Sequence, residues 1–288
     1  MYISLILVKV PLTLTLKIFN KCSSHFIEQN EILKVDNNRI VFRMSRFEIY
    51  SPEGLRVDGR RWNELRRFDC SINTHSHAAD GSSYLEQGNN KIITLVKGPK
   101  EPSLRSQMDP TKALLKVSVN ITKFSKTERS KTSHKNERRV LEIQTALTRT
   151  FNKNVMLHIY PRTLIDIEIH VLQQDGGLIG TLINGITLAL IDAGIAMFDY
   201  ISGVSVGLYD TTPLLEVNSL EENVMSSVTL GVVGKTEKLS LLLVEDKVPL
   251  DRLESVLAIG IAGAHRIRDL MDNELRKRAE KRIANSTN

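Results

Sequence analysis

Cysteine is scarce in this chain: Cys22 and Cys70 are the whole complement. Two such thiols make neither a disulfide framework nor a metal-binding spacing, and their usage suits a reducing compartment. Long apolar runs are missing too. No stretch offers the roughly 20 apolar residues that a membrane span needs, so no membrane partner is expected. No internal repeat is strong enough to mark a repeat architecture. Charge of one sign is not in great excess either. The formal net charge is +6 over 288 residues. Residues 1–43 supply half of it, with Lys9, Lys17, Lys21, Lys34, Arg39 and Arg43 set against Glu28, Glu31 and Asp36. What is left is too small to argue nucleic-acid binding from bulk charge, so local clusters must make that case.

What is present is an ordinary globular composition, 41% hydrophobic and 25% charged, long enough to bury a large core in one large or two modest domains. The first 43 residues stand apart. "MYISLILVKVPLTLTLKIF" has the apolar look of a signal sequence, but the basic n-region is missing. Lys9 and Pro11 interrupt it, and no small-residue cleavage site follows cleanly. Met44 then precedes "SRFEIYSPEGLRVDGRRWNELR", which reads as the start of a domain. The expectation is an extension over residues 1–43, outside the fold and not necessarily part of the natural product, followed by a single domain over residues 44–288. A targeting role for the extension is the competing reading.

Periodicity sets the elements. "FDCSINTH" alternates, "HAADGSSYLEQGNN" carries turn residues and "KIITLVKG" is β-rich, so paired strands are predicted between 68 and 98. "GPKEPSLRSQMDP" is a loop, and "ALLKVSVNITKF" a strand by its period of two. "NERRVLEIQTALTRTFN" is helical, with Val140, Ile143, Leu147 and Phe151 on one buried face and Asn136 as its N-cap. "TLIDIEIHVLQ" alternates strictly. "LIGTLINGITLALIDAG" is apolar nearly all round, which predicts a central helix. Gly180 and Gly185 would admit a neighbouring backbone, and Gly194 would end the helix. Three further strands, "GVSVGLYD", "SSVTLGVVG" and "KLSLLLVED", precede a long helix from Pro249 to about Ile283. Its inner face holds Leu253, Val256, Leu257, Ile267, Leu270 and Met271, and "RKRAEKR" puts cations at its C-terminal end. Strands grouped between helices define an α+β class with mixed sheets.

Several residue sets could carry chemistry. Asp166, Glu168 and His170 share one strand face, either as a metal or acid–base cluster or, the favoured reading, as the wet face of a half-buried strand. His75 and His77 lack further ligands and read as surface residues. Arg138 and Arg139 open the middle helix just after Arg129, Lys131 and Lys135. Such groups near a helix start grip phosphate backbones, and a solvated basic face explains them equally well. Arg105, in the proline-rich loop, is a similar and weaker case. Glu216 and Glu222 could hold a divalent cation, although Ser219 and Glu222 also fit a capping box, which is the favoured reading. At 175–179 a strand, a glycine turn and a helix outline an anion cradle. Gly176 and Gly177 permit close approach, and the helix offers a positive dipole end. Leu178 and Ile179 then supply apolar bulk where an anion would want Arg, Lys, Ser or Thr, so no tight phosphate site is expected.

Four stretches, "LRVDGRRWNELR", "ADGSSYLEQGNNKIITLVKGPKE", "PRTLIDIEIHVLQQDGG" and "ALIDAGI", taken in order, resemble the ribonuclease PH family. The resemblance is closest to the eukaryotic RNA exosome ring subunit that corresponds to the catalytic subunit of the archaeal ring. It runs from about Phe47 to the end of the last helix. It implies a ribonuclease PH-type α+β fold and a hetero-hexameric ring of ribonuclease PH-like subunits that threads single-stranded RNA. Cap subunits of S1/KH type, a separate exoribonuclease, and a location in nucleus, nucleolus and cytoplasm follow from the same resemblance. Active members use inorganic phosphate to release nucleoside diphosphates, holding it with a Thr-Arg or Ser-Arg pair where this chain has Leu178 and Ile179. Two aspartates six apart serve them where Glu216 and Glu222 stand here. The arginine pair that grips RNA matches Arg138 and Arg139, and Arg105 lies in the loop at the channel neck. The expectation is therefore a non-catalytic ring subunit with no cofactor or metal. The alternative is an active phosphate-dependent 3′–5′ exoribonuclease.

Overall fold

The computed structural model describes residues 35–36, 39–40, 49–51, 53–102, 109–127 and 134–286. Residues 1–49 and residues 50–288 form separate units. In the first, β1 (Val35–Asp36) pairs antiparallel with β2 (Arg39–Ile40). The second unit holds the remaining elements: β3 (Phe68–Ile72), β4 (Gly81–Gln87), β5 (Asn90–Lys100), β6 (Leu114–Ile121), helix α1 (His134–Asn154), β7 (Leu164–Gln173), α2 (Leu178–Ala193), β8 (Ile201–Tyr209), β9 (Thr212–Leu215), the short α3 (Ser219–Glu222), β10 (Ser226–Val233), β11 (Leu239–Val244) and α4 (Leu250–Ser286). Strand order β3-β4-β5-β7-β6 makes a five-stranded mixed sheet in which only β6 and β7 run parallel, and β11-β10-β8-β9 makes a four-stranded antiparallel one. Mixed sheets with packed helices are the α+β class that the periodicity predicts.

One helix belongs to both sheets. α2 packs on β4 and β5 of the first and on β8 and β10 of the second, and every residue from Leu178 to Leu190 is buried. That dual contact explains its lack of a polar face. Gly180 meets backbone as expected: a Cβ there would lie 3.2 Å from the Gly203 carbonyl carbon. Gly185 differs, since a Cβ would meet the Ile92 Cδ1 at 2.6 Å, a side chain rather than a backbone. The polar residues of α2 are satisfied internally. Asn184 donates to Gln87 Oε1 at 3.1 Å and to Gly203 O at 3.0 Å, and accepts from the Gly203 N–H at 2.7 Å. Each of these bonds spares a buried group the penalty of going unpaired. Gly194 closes the helix in the left-handed conformation, φ 70°.

The remaining departures are local. Gly81–Gln87 reads as a turn in sequence but forms an inner strand. Asn136 lies inside α1, whose first described residue is His134, so it is not the cap. Ile143, Leu147 and Phe151 are buried as expected. Leu270 is 39% exposed and does not join Val256, Ile267 and Met271 on the inner face of α4. α4 runs to Ser286, so "RKRAEKR" is not its last turn. Arg276 pairs with Asp272 at 2.8 Å and Arg278 with Asp192 at 2.8 Å. Among the described residues no helix is long and apolar enough to cross a membrane.

Candidate functional site

After β7 the chain turns through Asp175, Gly176 and Gly177 into α2. Both glycines are left-handed, at φ 65° and 60°, and Gly177 is the helix N-cap. Side chains from distant segments fix the bend. Arg66 Nη1 donates to Asp175 O at 2.7 Å, and Asn90 Nδ2 to Gly176 O at 2.7 Å. The Asp175 N–H donates to Asn90 Oδ1 at 2.5 Å, and the Ser219 N–H to Asp175 Oδ1 at 3.1 Å. The cation nearest the bend is thus Arg66, and it is already engaged with backbone carbonyls. Leu178 and Ile179 are 6% and 8% exposed and belong to the core.

A cavity of about 540 Å³ opens beside the bend. Ile143, Leu178, Ile179 and Val217 give it apolar walls. Arg139, Lys126, Glu222 and Glu245 give it charge. A volume of this order suits a small organic group, and the apolar walls suit a hydrated phosphate poorly. The Glu222 carboxyl lines the cavity together with Gly177, so an acidic group already stands where an anion at the helix N-terminus would sit. Arg139 Nη2 lies 3.9 Å from Glu222 Oε1 and 3.6 Å from Glu245 Oε2. Burial, reinforced by the like charge of Glu245, pushes the Glu222 carboxyl above its ordinary value; Arg139 and the Gly177 N–H pull the other way and are outweighed.

Glu216 and Glu222 do not converge. Glu216 is 1% exposed, accepts the Arg66 N–H at 2.5 Å and the Gln87 side-chain amide, and does not line the cavity. The favoured capping box also falls elsewhere. Asn218 is the N-cap of α3, and its N–H donates to Glu221 Oε2 at 2.9 Å. The cap is thus one residue earlier than Ser219–Glu222 suggests, and Glu222 is left to the cavity. Arg138 and Arg139 part company as well: Arg138 is turned outward, 3.2 Å from Glu142 Oε1, and only Arg139 reaches the cavity. Arg105, Arg129 and Lys131 lie outside the described residues. Asp166 and Glu168 pair with Lys100 and Lys97 of β5 at 3.3 and 2.8 Å, and His75 contacts Thr74 Oγ1 at 2.8 Å. Among the described residues no group of three His, Cys, Asp or Glu side chains is arranged to hold a metal ion.

Sequence reasoning missed Arg66, which holds the bend, and Arg56, which holds the 215–221 segment beside it. Arg56, buried, is held by Glu221, and Arg66, buried, by Glu216. Glu245 was missed too, sitting just past a strand end with no motif to mark it.

The upward shift of the Glu222 carboxyl, which makes it a weaker acid than a free carboxylate, gives a test of this geometry. Its folded form favours the neutral acid, so its contribution to stability is present at low pH and is lost as pH rises through the raised value. Glu222→Gln is expected to raise the melting temperature at pH 7 modestly. The gain should shrink as pH falls toward the ordinary carboxylate range. Thermal melts of both proteins across pH 4–8 check this, and a gain unchanged by pH would contradict it.

Two sheets closed over one shared helix, with a glycine bend at that helix's start, define the ribonuclease PH class of fold. The description "3′ exoribonuclease family, domain 1" matches residues 64–196 and "3′ exoribonuclease family, domain 2" matches residues 199–263. The chain belongs to this family. It is 84% identical over 244 residues to "Exosome complex component SKI6" of Saccharomyces cerevisiae, covering 85% of this chain and 99% of that one. Identity to "Exosome complex component RRP41" of Homo sapiens is 34% over 236 residues, covering 81% and 96%. To "Exosome complex component Rrp41" of Archaeoglobus fulgidus it is 34% over 230 residues, covering 78% and 88%. Among solved structures, rice (Oryza sativa) Rrp46 matches with a TM-score of 0.68 at 27% identity, covering 77% of this chain and 100% of that one.

Proposed function

We propose that this chain is a non-catalytic ring subunit of the RNA exosome. It builds the barrel with other ribonuclease PH-like subunits in a hetero-hexameric ring beneath S1/KH-type caps. It helps thread single-stranded RNA 3′ ends to a separate nuclease for processing and decay. Nucleus, nucleolus and cytoplasm are the locations that go with this role. Identity to exosome components along nearly their whole length supports membership of the ring. Residues 44–288 act as one domain, because neither sheet covers its core without α2. Residues 1–43 are read as an extension to that domain, a reading supported by the yeast relative, 99% of whose length is matched by 244 residues of this chain.

The observation that carries the non-catalytic reading is the anion-binding end of α2. Leu178 and Ile179 are buried there, and the acidic Glu222 lines the same cavity as Gly177. Losing a charge-assisted grip on phosphate costs on the order of 2–5 kcal/mol. Applied to the attacking group, that lowers the rate by roughly 10²–10⁴-fold. The divergence of Glu216 and Glu222 removes a shared acid or metal site as well. RNA is gripped through its phosphates, by Arg139 at the cavity, Arg138 beside it and Arg105, so selection is by strandedness and not by base sequence. The assembled ring, incubated with single-stranded RNA and inorganic phosphate, should release no nucleoside diphosphate. Release that disappears on Glu222→Ala would establish the phosphorolytic alternative instead.

A further inference from the structure

We propose that Glu222 and Glu245 form an internal counter-ion cradle for Arg139, which an RNA phosphate must displace. The two carboxylates thereby set how tightly this subunit grips a strand. This deepens the reading above and rests on Arg139 meeting RNA.

The geometry is specific to one of the two adjacent arginines. Neighbouring helix positions point about 100° apart, since 3.6 residues make a turn. Arg139 accordingly faces α3 and the end of β11, and Arg138 faces solvent. Arg139 Nη2 stands within 4 Å of carboxylates from two separate elements, 3.9 Å from Glu222 and 3.6 Å from Glu245. Its side chain is 57% exposed, so a phosphate can reach it from outside. Glu222 is the less mobile partner, with a side chain 26% exposed and its backbone N–H on Asn218 O at 2.8 Å within α3. Lys123 and Lys126, on the loop after β6, and Glu137 on α1 also line the cavity, so the cradle lies within a mixed field and not a purely acidic one. Among the described residues Arg138 has one ion-pair partner, one helical turn away and itself exposed, at 83% and 65% exposure. Such a pair holds its cation weakly. The two arginines therefore differ in kind: Arg138 is available to RNA at all times, and Arg139 is available on condition of exchange.

Solvent-screened ion pairs are worth little, so removing one competitor should tighten RNA binding by no more than about fivefold. Removing any negative charge near a polyanion also tightens binding, so the test must separate the cradle from the general field. A double-mutant cycle does so. Rings reconstituted with wild type, Glu222→Gln, Glu245→Gln, Arg139→Gln and the two combinations with Arg139→Gln would be titrated with a fluorescent single-stranded oligoadenylate RNA. The expected result is tighter binding, by up to about fivefold, for each glutamine variant, with the gain lost in the Arg139→Gln background. No gain, or the same gain with and without Arg139, overturns the cradle while leaving the RNA grip intact. An Arg139→Gln ring that binds RNA as wild type does overturns the RNA role of Arg139 itself, and the cradle with it. Glu245, 39% exposed, is expected to accept glutamine at little cost to folding, so the cycle stands even if the Glu222 variant assembles poorly.

Discussion

Arg56→Met is expected to destabilise the chain by about 3–5 kcal/mol, because it strands a buried carboxylate. Arg56 and Glu221 have side chains 0% and 1% exposed. Arg56 Nε donates to Glu221 Oε1 at 2.8 Å, and Nη2 donates to the other carboxylate oxygen. The same guanidinium also serves the backbone, with Nη1 on Leu215 O at 2.5 Å and Nη2 on Glu216 O at 2.7 Å. Denaturant unfolding should show the loss as a lower midpoint with an unchanged slope. In heat it should appear as a fall of roughly 6–20 °C. Arg56→Met combined with Glu221→Met should recover the part due to the lone charge. The part due to two orphaned carbonyls should stay. A single variant as stable as wild type would mean the pair contributes nothing to the fold.

Gly176→Ala is expected to cost about 2–5 kcal/mol, from two independent sources. Its φ of 65° disfavours any side chain by about 1–2 kcal/mol. A Cβ would also lie 2.6 Å from Ser219 N and 2.7 Å from Val217 O, and closer still to the Asn218 carbonyl carbon. All three are backbone atoms, which cannot rotate away, and overpacking of that kind adds about 1–3 kcal/mol. Gly194→Ala is the control. Its φ of 70° is equally left-handed, but nothing lies within 4 Å of the added atom, so only the conformational part should appear. Urea titrations of the two variants compare them directly, and equal losses would rule out the steric part. The Gly176 variant should also disturb the Asn218–Ser219 turn and, through α3, the placing of Glu222.

The elements that could be read from residues alone are those whose pattern is apolar. β7 shows strict alternation, and α2 shows an unbroken apolar surface because both sheets press on it. β4 could not be read that way. Its buried positions include Gly81, Ser82, Ser83 and Gln87. A Cβ at Gly81 would strike α2 at Ala189 O and at Ala193 N, so only small residues fit, and small polar residues look like a turn. Ser83 Oγ donates to Gly185 O at 2.8 Å, a bond that periodicity cannot reveal. The glycine bend and its apolar successors were legible, since residue type alone decides whether an anion finds donors there. Its support Arg66 was not, and neither was Arg56, which holds the neighbouring 215–221 segment. Arg56 and Arg66 sit in a run that looks like a solvated basic segment, and their acidic partners lie 165 and 150 positions away. Arg138 and Arg139 look interchangeable in sequence, and only the helix phase separates them.

The sharing of α2 between two sheets also dictates an order of events at the ribosome. The helix emerges after β3 to β7, so one side of it can close on the first sheet at once. Its other side, where Gly180 meets Gly203, has no cover until residues 201–233 have been made. For that interval the side of α2 that will meet β8 and β10 lacks its partners in the second sheet, so those apolar residues stay exposed until synthesis reaches them.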